Sequence, residues 1–583
     1  MEPYQWYILV LAVLDGLLIL GLMMLDKLQR EKKNYSPLKN HMERIKYVLS
    51  AVCFLLICGF QYAFAEEVCP IIPRPAQVKK LNAQFNLNAN TPVISRVEVL
   101  KPIAHYIIQE LLKTRGLPLS LQQTTTKIPG IELKLSSKKM PSGYVLNISA
   151  KGVVITAGDE AGAFYGAISL LQIVRQSKSD LGILKLPGWN IEDKPLYEWR
   201  GIMLDESRHF FGVEKVKSVL DWMAFYKLNR FHWHLTDEPA WRIEIKKYPK
   251  LALVGGIGDY LNEALPAQYY TQEQIKEIVS YAAQRFITVI PEIDMPGHAT
   301  AANKAYPEFS GGGAPGHPEF TFNPGKEETY TYLSNILRET NALFPAQMIH
   351  LGGDEVSYGN QKWATNPDIQ RLMASNGLKD VKAVERYFMK RMADSVYKRN
   401  ARLLVWDEMA EVDLPVDKTI IYWWRHDRPD MLKLALEKGF KTVLCPRLPF
   451  YFDFVQDSTH TNGRKWNKLY NSLQNVYNFS VDQYMNVSAQ KDLILGVQAD
   501  LWTETVQNEQ RLDFLLFPRI TALAEVGWTA KEDRDYQGYM ERLKGHLKLF
   551  QEAGLYYYNP FYPARSPEPV KIGAGIKRFD TGL

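Results

Sequence analysis

The segment HLGGDEVSYG, residues 350–359, sets two carboxylates side by side behind a Gly-Gly pair. Asp354 and Glu355 follow the short apolar run AQMIHL. Paired carboxylates suit acid/base chemistry: one moves a proton while the other attacks or stabilises charge. That division of labour ordinarily takes groups from separate elements, on opposite sides of the reacting atom. Neighbours in a regular strand point to opposite faces. Gly352 and Gly353 relax the geometry past a strand end, yet two consecutive residues still do not readily flank one small ring.

More acids, now with tryptophans, fall at the ends of apolar runs. The runs are WRGIMLD, RFHWHLTD, ITVIPEID, MIHLGGDE, RLLVWDE, TIIYWWR, KTVLCP and ILGVQADLWTE. Their ends carry Asp205, Asp237, Asp294, Asp354-Glu355, Trp406-Asp407-Glu408, Trp424-Arg425, and Trp502 with Glu504. Helical segments such as VEKVKSVLDWMAFYKL, TQEQIKEIVSYAAQRF and AVERYFMKRMADSVYKR intervene. This alternation predicts an α/β architecture, a parallel (β/α)8 TIM barrel over 195–562. The working face of such a barrel is the C-terminal end of its strands. One acid there is usually a helix cap; acids and tryptophans at most of the ends predict a site.

The mixture of residue types fits a sugar. Aromatic walls match the apolar faces of a pyranose, and carboxylates and arginine match its hydroxyls. Cleavage of a glycosidic bond needs an acid at the leaving oxygen and stabilisation of positive charge at the anomeric carbon. The adjacency of Asp354 and Glu355 makes sense if the substrate carries its own nucleophile. A 2-acetamido group can serve, its carbonyl oxygen closing on the anomeric carbon while the second carboxylate positions it.

WRGIMLDESRHFF, KLNRFHWHLTDEPAWRIEI, VIPEIDMPGHATAA, HLGGDE, YFDF and GVQADLWTE together resemble glycoside hydrolase family 20, the β-N-acetylhexosaminidases. The resemblance spans roughly Ile71 to Tyr562. It implies an α+β domain ahead of the barrel and exo-action on terminal β-linked GlcNAc or GalNAc. The implied route is retaining and substrate-assisted, an exception to the two-carboxylate scheme. Glu355 is then the general acid/base, and Asp354 orients the acetamido group and stabilises an oxazolinium ion. Arg200 is similar to an arginine holding ring hydroxyls, its forked donors suiting a diol. Asp453 and Glu504 match acids at the far end of the ring, and Tyr451 a donor to the acetamido carbonyl. Trp406, Trp424 and Trp502 match the walls; Asp294 and His298 match partners near the acid/base; Trp466 matches a further pocket tryptophan. Neither metal nor cofactor is expected. One departure is TDEPAW, where Pro239 and Ala240 precede Trp241 and the family often has glycine. That loop bears on the leaving group.

Other readings use the same residues differently. His232 and His234 share a strand face and, with His298 and His350, could hold zinc in a metal-dependent barrel hydrolase. Aromatic pockets also serve non-catalytic sugar-binding proteins, and a family relative could release a disaccharide instead of a single sugar.

The remaining organisation follows from composition. A chain of 583 residues exceeds one small domain. A net charge of +6 without a dense basic block argues against a nucleic-acid partner. Residues 42–65 read as a secretory signal, with Arg44 and Lys46 before an apolar core and Ala63-Phe64-Ala65 before Glu66. Residues 1–41 are either an extra transmembrane segment or an extension upstream of a start at Met42. Both readings export the body, to a bacterial periplasm or cell surface, with membrane attachment only through an uncleaved leader. Of four cysteines two lie in the leader, so no disulfide framework is specified. Residues 66–190 read as an α+β packing domain, with strands in GIELKLS, GYVLNISA and GVVITAG and a helix capped by Asp159. Residues 563–583 read as an extended tail.

Overall fold

The computed structural model describes Met23, Lys27, residues 68–124 and residues 128–569. The leader readings and the last part of the tail lie outside the described residues. Among the described residues no helix is long and apolar enough to cross a membrane.

The first domain is a sheet with two helices. Its strands are β1 (Gln77–Leu87), β2 (Pro92–Ser95), β3 (Ser120–Gln122), β4 (Ile131–Leu135), β5 (Tyr144–Ser149), β6 (Gly152–Ala157), β7 (Ser179–Asp180) and β8 (Ile183–Asp193). They pair in the order β1-β8-β5-β6-β4-β2-β3, with β7 on β8. The three strands predicted from sequence are β4, β5 and β6; β5 shows strict buried-and-half-buried alternation. The long strand β1 lacks that signal because its first six residues are exposed or half-exposed, and its prolyl approach reads as an extended lead-in. Helix Glu160–Gln176 starts at Asp159, whose carboxylate accepts the Gly162 N–H at 2.7 Å. It is buried continuously from Gly162 to Val174, since the sheet covers one face and the second domain the other.

The second domain is a closed parallel barrel. Its strands are β9 (Trp199–Asp205), β10 (Arg230–His234), β11 (Thr288–Glu292), β14 (Met348–His350), β15 (Arg402–Trp406), β16 (Thr419–Trp423), β17 (Lys441–Leu444) and β18 (Ile494–Leu501), in the order β10-β11-β14-β15-β16-β17-β18-β9. Each of the eight apolar runs supplies one strand. Burial on both faces, complete in β9 and β16, is why they read as continuous apolar runs. An antiparallel hairpin, β12 (Ser310–Ala314) and β13 (His317–Phe322), stands outside the barrel.

Buried polar contacts join the two domains at the N-terminal end of the barrel. Gln172 of the first domain donates to the Phe225 carbonyl at 2.6 Å. The Lys227 ammonium lies 3.3 Å from the Asp193 carboxylate and donates to the Tyr144 hydroxyl at 2.9 Å. The Trp528 indole donates to the same Asp193 at 2.9 Å. An ion pair buried this fully holds only because its remaining donors and acceptors are satisfied.

Candidate active site

The glycines after β14 explain the adjacent acids. Gly352 and Gly353 both lie in the left-handed region, with φ of 66° and 90°, and Glu355 follows at 49°. These turns break the alternation of the strand, and Asp354 and Glu355 both line one cavity of about 570 Å3. That volume is in the range of small-molecule sites. Gly352 is fixed by sterics as well: a Cβ there would fall 1.7 Å from Asp294 Oδ1. The left-handed conformation of Glu355 costs on the order of 1 kcal/mol and gives it the same outlook as its neighbour.

Behind the pair, His298 is the centre of charge. Its Nε2 lies 3.9 Å from both Asp354 Oδ2 and Glu355 Oε2, and its Nδ1 donates to Asp237 Oδ1 at 3.0 Å. Burial works against an imidazolium here, but Asp237 and Asp294 outweigh it and hold His298 well above the usual histidine range. Burial likewise raises Glu355, with His298 opposing and Glu408 assisting. Asp354 is raised well above the ordinary carboxylate value by burial, then by the charges of Glu355 and Glu408, against the pull of His298. Asp294 behind them is raised well above the ordinary carboxylate value by burial and then by the charge of Asp354.

Beyond His298 the cavity wall carries paired charges. Burial opposes ionisation of Asp237, but Arg208 at 2.7 Å and His298 hold its pKa well below the usual range. Arg208 also reaches to 4.0 Å of Glu504 and stacks over the Trp502 ring at 5.0 Å. Glu504 accepts from Arg464 at 2.6 Å, and despite burial the two guanidinium groups lower its pKa. Asp453 lies 3.3 Å from Arg464 Nε, and burial pushes its pKa up to about 7. Glu504 Oε2, Asp453 Oδ1, Asp354 Oδ1 and the Trp502 indole N–H are buried with no hydrogen-bond partner within the protein. Such groups match the hydroxyls and amide of a polar ligand.

Aromatic rings form the side walls. Trp424 and Tyr451 lie nearly parallel, centroids 6.2 Å apart, and Trp502 stands 6.0 Å from Tyr451. The Trp424 indole donates to Glu408 at 3.0 Å, which fixes its ring. Trp466 lines the mouth, under the Arg447 guanidinium at 4.0 Å. Glu238, Pro239, Tyr260, His317 and Tyr358 complete the rim, with His317 at 3.1 Å from Glu238.

The structure gathers Asp354, Glu355, His298, Trp424, Tyr451, Trp466, Trp502 and Glu504 around the cavity. Asp294, Asp453 and Trp406 stand one layer behind it: Trp406 donates to Glu292 at 3.0 Å and packs 6.1 Å from Trp502. Arg200 is a correction. It is the second residue of β9, at the end of the barrel remote from the cavity, and its guanidinium donates to the Lys227 carbonyl (2.9 Å), the Tyr197 carbonyl (2.7 Å) and the Tyr165 hydroxyl (2.9 Å). It ties the barrel to the first domain. The arginine that this motif supplies to the cavity is Arg208, three residues beyond the end of β9. Applying the C-terminal-end rule to arginine as well as to acids would have selected it. Arg208→Ala is expected to lower kcat/KM by at least about tenfold, the scale of one charged hydrogen bond. Arg200→Ala is expected to cost about 3 kcal/mol of stability by leaving buried carbonyls unpaired, with kcat/KM of the folded enzyme kept. Steady-state kinetics beside thermal melts of both variants check the pair.

The histidines considered as zinc ligands divide into two places. His232, His234 and His350 converge on Glu292 inside the barrel: its carboxylate accepts from His234 Nδ1 at 2.5 Å and lies 3.0 Å from His232 Nε2 and 2.9 Å from His350 Nδ1. His234 reaches on to Asp237 at 2.9 Å, so this buried network runs up to the cavity floor. Burial lowers His232 to about 4, which leaves it neutral. His298 stands apart, on the other side of Asp237.

Comparison with known proteins places the geometry in a family. The description "Glycosyl hydrolase family 20, catalytic domain" matches residues 197–531, and "Glycosyl hydrolase family 20, domain 2" matches residues 68–194. A β-hexosaminidase of Porphyromonas gingivalis is 34% identical over 89% of this chain and 69% of its own. A β-hexosaminidase of Vibrio furnissii is 32% identical over 79% of this chain and 77% of its own. Among solved structures, the exo-β-N-acetylglucosaminidase of Vibrio harveyi in complex with N-acetylglucosamine superposes with a TM-score of 0.77 at 32% identity, covering 84% of this chain and 78% of that one.

Proposed function

The chain belongs to glycosyl hydrolase family 20 and is a glycoside hydrolase of the β-N-acetylhexosaminidase type, and from that premise we propose that it removes single terminal β-linked GlcNAc or GalNAc residues by a retaining, substrate-assisted route. The observation that carries the proposal is that the two acids of the cavity held neither by an arginine nor by His317 are consecutive residues. Asp237 and Glu504 are each engaged by arginine, whereas Asp354 and Glu355 face the cavity beside one histidine. Side chains one residue apart act from one side, so the opposite face of the anomeric carbon is left to the substrate's own acetamido oxygen.

The acetamido carbonyl oxygen forms a bond to C1 as the C1–O bond to the leaving group breaks, and Glu355 gives its proton to the departing oxygen. Positive charge spreads over the resulting oxazolinium ring, against which Asp354 lies. Burial makes an unpartnered Asp354 anion costly, so a cation beside it is rewarded most in the transition state. Water then attacks C1 as the C1–O bond of the oxazolinium ring breaks and restores the acetamido group; Glu355 takes the water's proton, and the product leaves with the β configuration it entered with. Trp424, Tyr451 and Trp502 hold the ring and acetamido group for this attack. The charged end formed by Arg208, Arg464 and Glu504, with Asp453 behind Arg464, encloses the far hydroxyls, which supports exo-action on a single terminal sugar over release of a disaccharide. The Vibrio harveyi relative, in complex with N-acetylglucosamine, supports the same substrate class.

A β-glucoside keeps every ring hydroxyl but the acetamido group, so it separates this route from a protein nucleophile. Its kcat is expected to be at least about a thousandfold below that of the matching N-acetylglucosaminide, since the intramolecular attack is lost. A thiazoline mimic of the cyclic intermediate is expected to inhibit competitively, well below the substrate KM. Comparable turnover of glucoside and glucosaminide, or a thiazoline that does not bind, would exclude the route.

A further inference from the structure

We infer that Glu568, near the C-terminal limit of the described residues, is a positioning residue for the hydroxyl-binding end of the cavity; the inference rests on the assignment of Asp453, Arg464 and Glu504 to that end. Glu568 lies more than 100 residues from the loop it holds. Its carboxylate accepts the Thr461 N–H at 2.7 Å through one oxygen and the Asn462 N–H at 3.0 Å through the other. The second oxygen also lies 3.3 Å from the Arg511 guanidinium. Two backbone donors and one cation on a side chain only 11% exposed make a rigid clamp, because charge-assisted hydrogen bonds are the strong ones.

What the clamp holds leads straight to the cavity. Two residues after Asn462, Arg464 donates its backbone N–H to the Asp453 carbonyl at 3.3 Å and its side chain to Glu504 at 2.6 Å. Gly463 between them packs so closely that a Cβ there would meet Arg511 Nη2 at 3.2 Å and the Asp453 carbonyl at 3.1 Å. Arg511 in turn donates through Nε to the Thr505 carbonyl at 2.7 Å, beside Glu504. One carboxylate thus fixes the segment that carries Arg464 and, through Arg511, the segment that carries Glu504. The tail itself is anchored locally: Tyr556 donates to the Pro567 carbonyl at 2.6 Å and the Asn559 N–H to Ser566 at 2.8 Å. Tyr558 reaches Asp457, at the start of the clamped loop, at 2.9 Å.

The consequence is a change in sugar binding from a residue that touches no sugar. Without the Glu568 carboxylate, residues 461–463 lose two hydrogen bonds, and Arg464 loses the fixed approach that aligns Asp453 and Glu504. Interactions with ring hydroxyls weaken in ground and transition states alike, so KM rises while kcat stays close to its original value.

The experiment measures kcat and KM on an aryl N-acetyl-β-glucosaminide for wild type, Glu568→Ala, Glu568→Gln, Arg464→Ala and the double variant Glu568→Ala/Arg464→Ala, each confirmed folded by thermal melting. Glu568→Ala is expected to raise KM about tenfold with kcat within about twofold. Glu568→Gln, which keeps one of the two acceptors and sets an amide N–H against the other donor, is expected to recover only part of that loss. In the Arg464→Ala background the Glu568→Ala change is expected to add less than about twofold, the non-additivity of residues acting through one another. An unchanged KM in Glu568→Ala while Arg464→Ala raises it overturns the inference alone, as do fully multiplicative effects in the double variant. An unchanged KM in Arg464→Ala overturns the assignment of the cavity end, and the inference with it.

Discussion

Glu355→Gln is expected to slow hydrolysis of an N-acetyl-β-glucosaminide with a sugar leaving group by about a thousandfold, within the span of general acid catalysis. On an activated aryl glycoside the same change is expected to cost no more than about thirtyfold, because a phenolate departs without a proton. The glutamine preserves size and leaves the adjacent Asp354 untouched, so the contrast isolates proton donation. A pH dependence follows from the same group. Burial raises Glu355, with His298 only partly opposing. A general acid works while protonated, so kcat/KM is retained below the raised pKa and lost as pH rises through it. The alkaline limb therefore lies above the ordinary glutamate value of about 4.3, and it is expected to vanish from the profile of Glu355→Gln. Because the charge of Glu355 raises Asp354 and that of Asp354 raises Asp294, the limb belongs to interacting groups, and the substitution removes Glu355 from among them. Equal losses on both leaving groups, or an alkaline limb that survives the substitution, would exclude Glu355 as the proton donor.

The barrel was legible because its strands are buried on both faces and end in polar residues. WRGIMLD and TIIYWWR read as continuous apolar stretches, and the structure buries every residue of β9 and β16. The same contrast located the acids, since a polar residue directly after such a run has few places to go except the open end of the barrel. Less regular signals failed. Strand β1 pairs only with β8 and exposes most of its first half, so no apolar alternation marks it. The hairpin β12–β13 is built from SGGGAPGHPEFTF, too rich in glycine to advertise a strand, yet it carries His317 to the cavity rim.

Arginine and histidine show where residue type alone misleads. Arg200 and Arg208 sit eight positions apart in one motif, and nothing in their chemistry separates them; only their places relative to β9 do. Position along the strand sends one to the domain junction and the other to the cavity. His232, His234 and His350 share one partner, Glu292, which comes from β11 and becomes visible only when the strands are side by side. Asp237 was legible as an acid at a strand end. Its task of holding Arg208, His234 and His298 at once depends on three separate segments, which no linear spacing encodes.

Asp354→Asn is expected to lower kcat by about a thousandfold, or about 4 kcal/mol of transition-state stabilisation, with KM changed by less than about threefold. The amide keeps the shape and a hydrogen-bonding oxygen but loses the charge. In the free enzyme that charge is disfavoured by burial and by Glu355 and Glu408, so its removal alters ground-state binding little. The loss falls where positive charge develops on the oxazolinium ring. A thiazoline that protonates in the cavity presents the same cation, and its affinity is expected to fall by a factor comparable to the loss in kcat, because both report one contact made in the transition state. Inhibition constants and kcat measured on wild type, Asp354→Asn and Asp354→Ala should therefore lie on a common line of near-unit slope on logarithmic axes. If thiazoline binding is unchanged while kcat collapses, Asp354 acts on something other than the charged ring, and the acetamido group is not the nucleophile it steers.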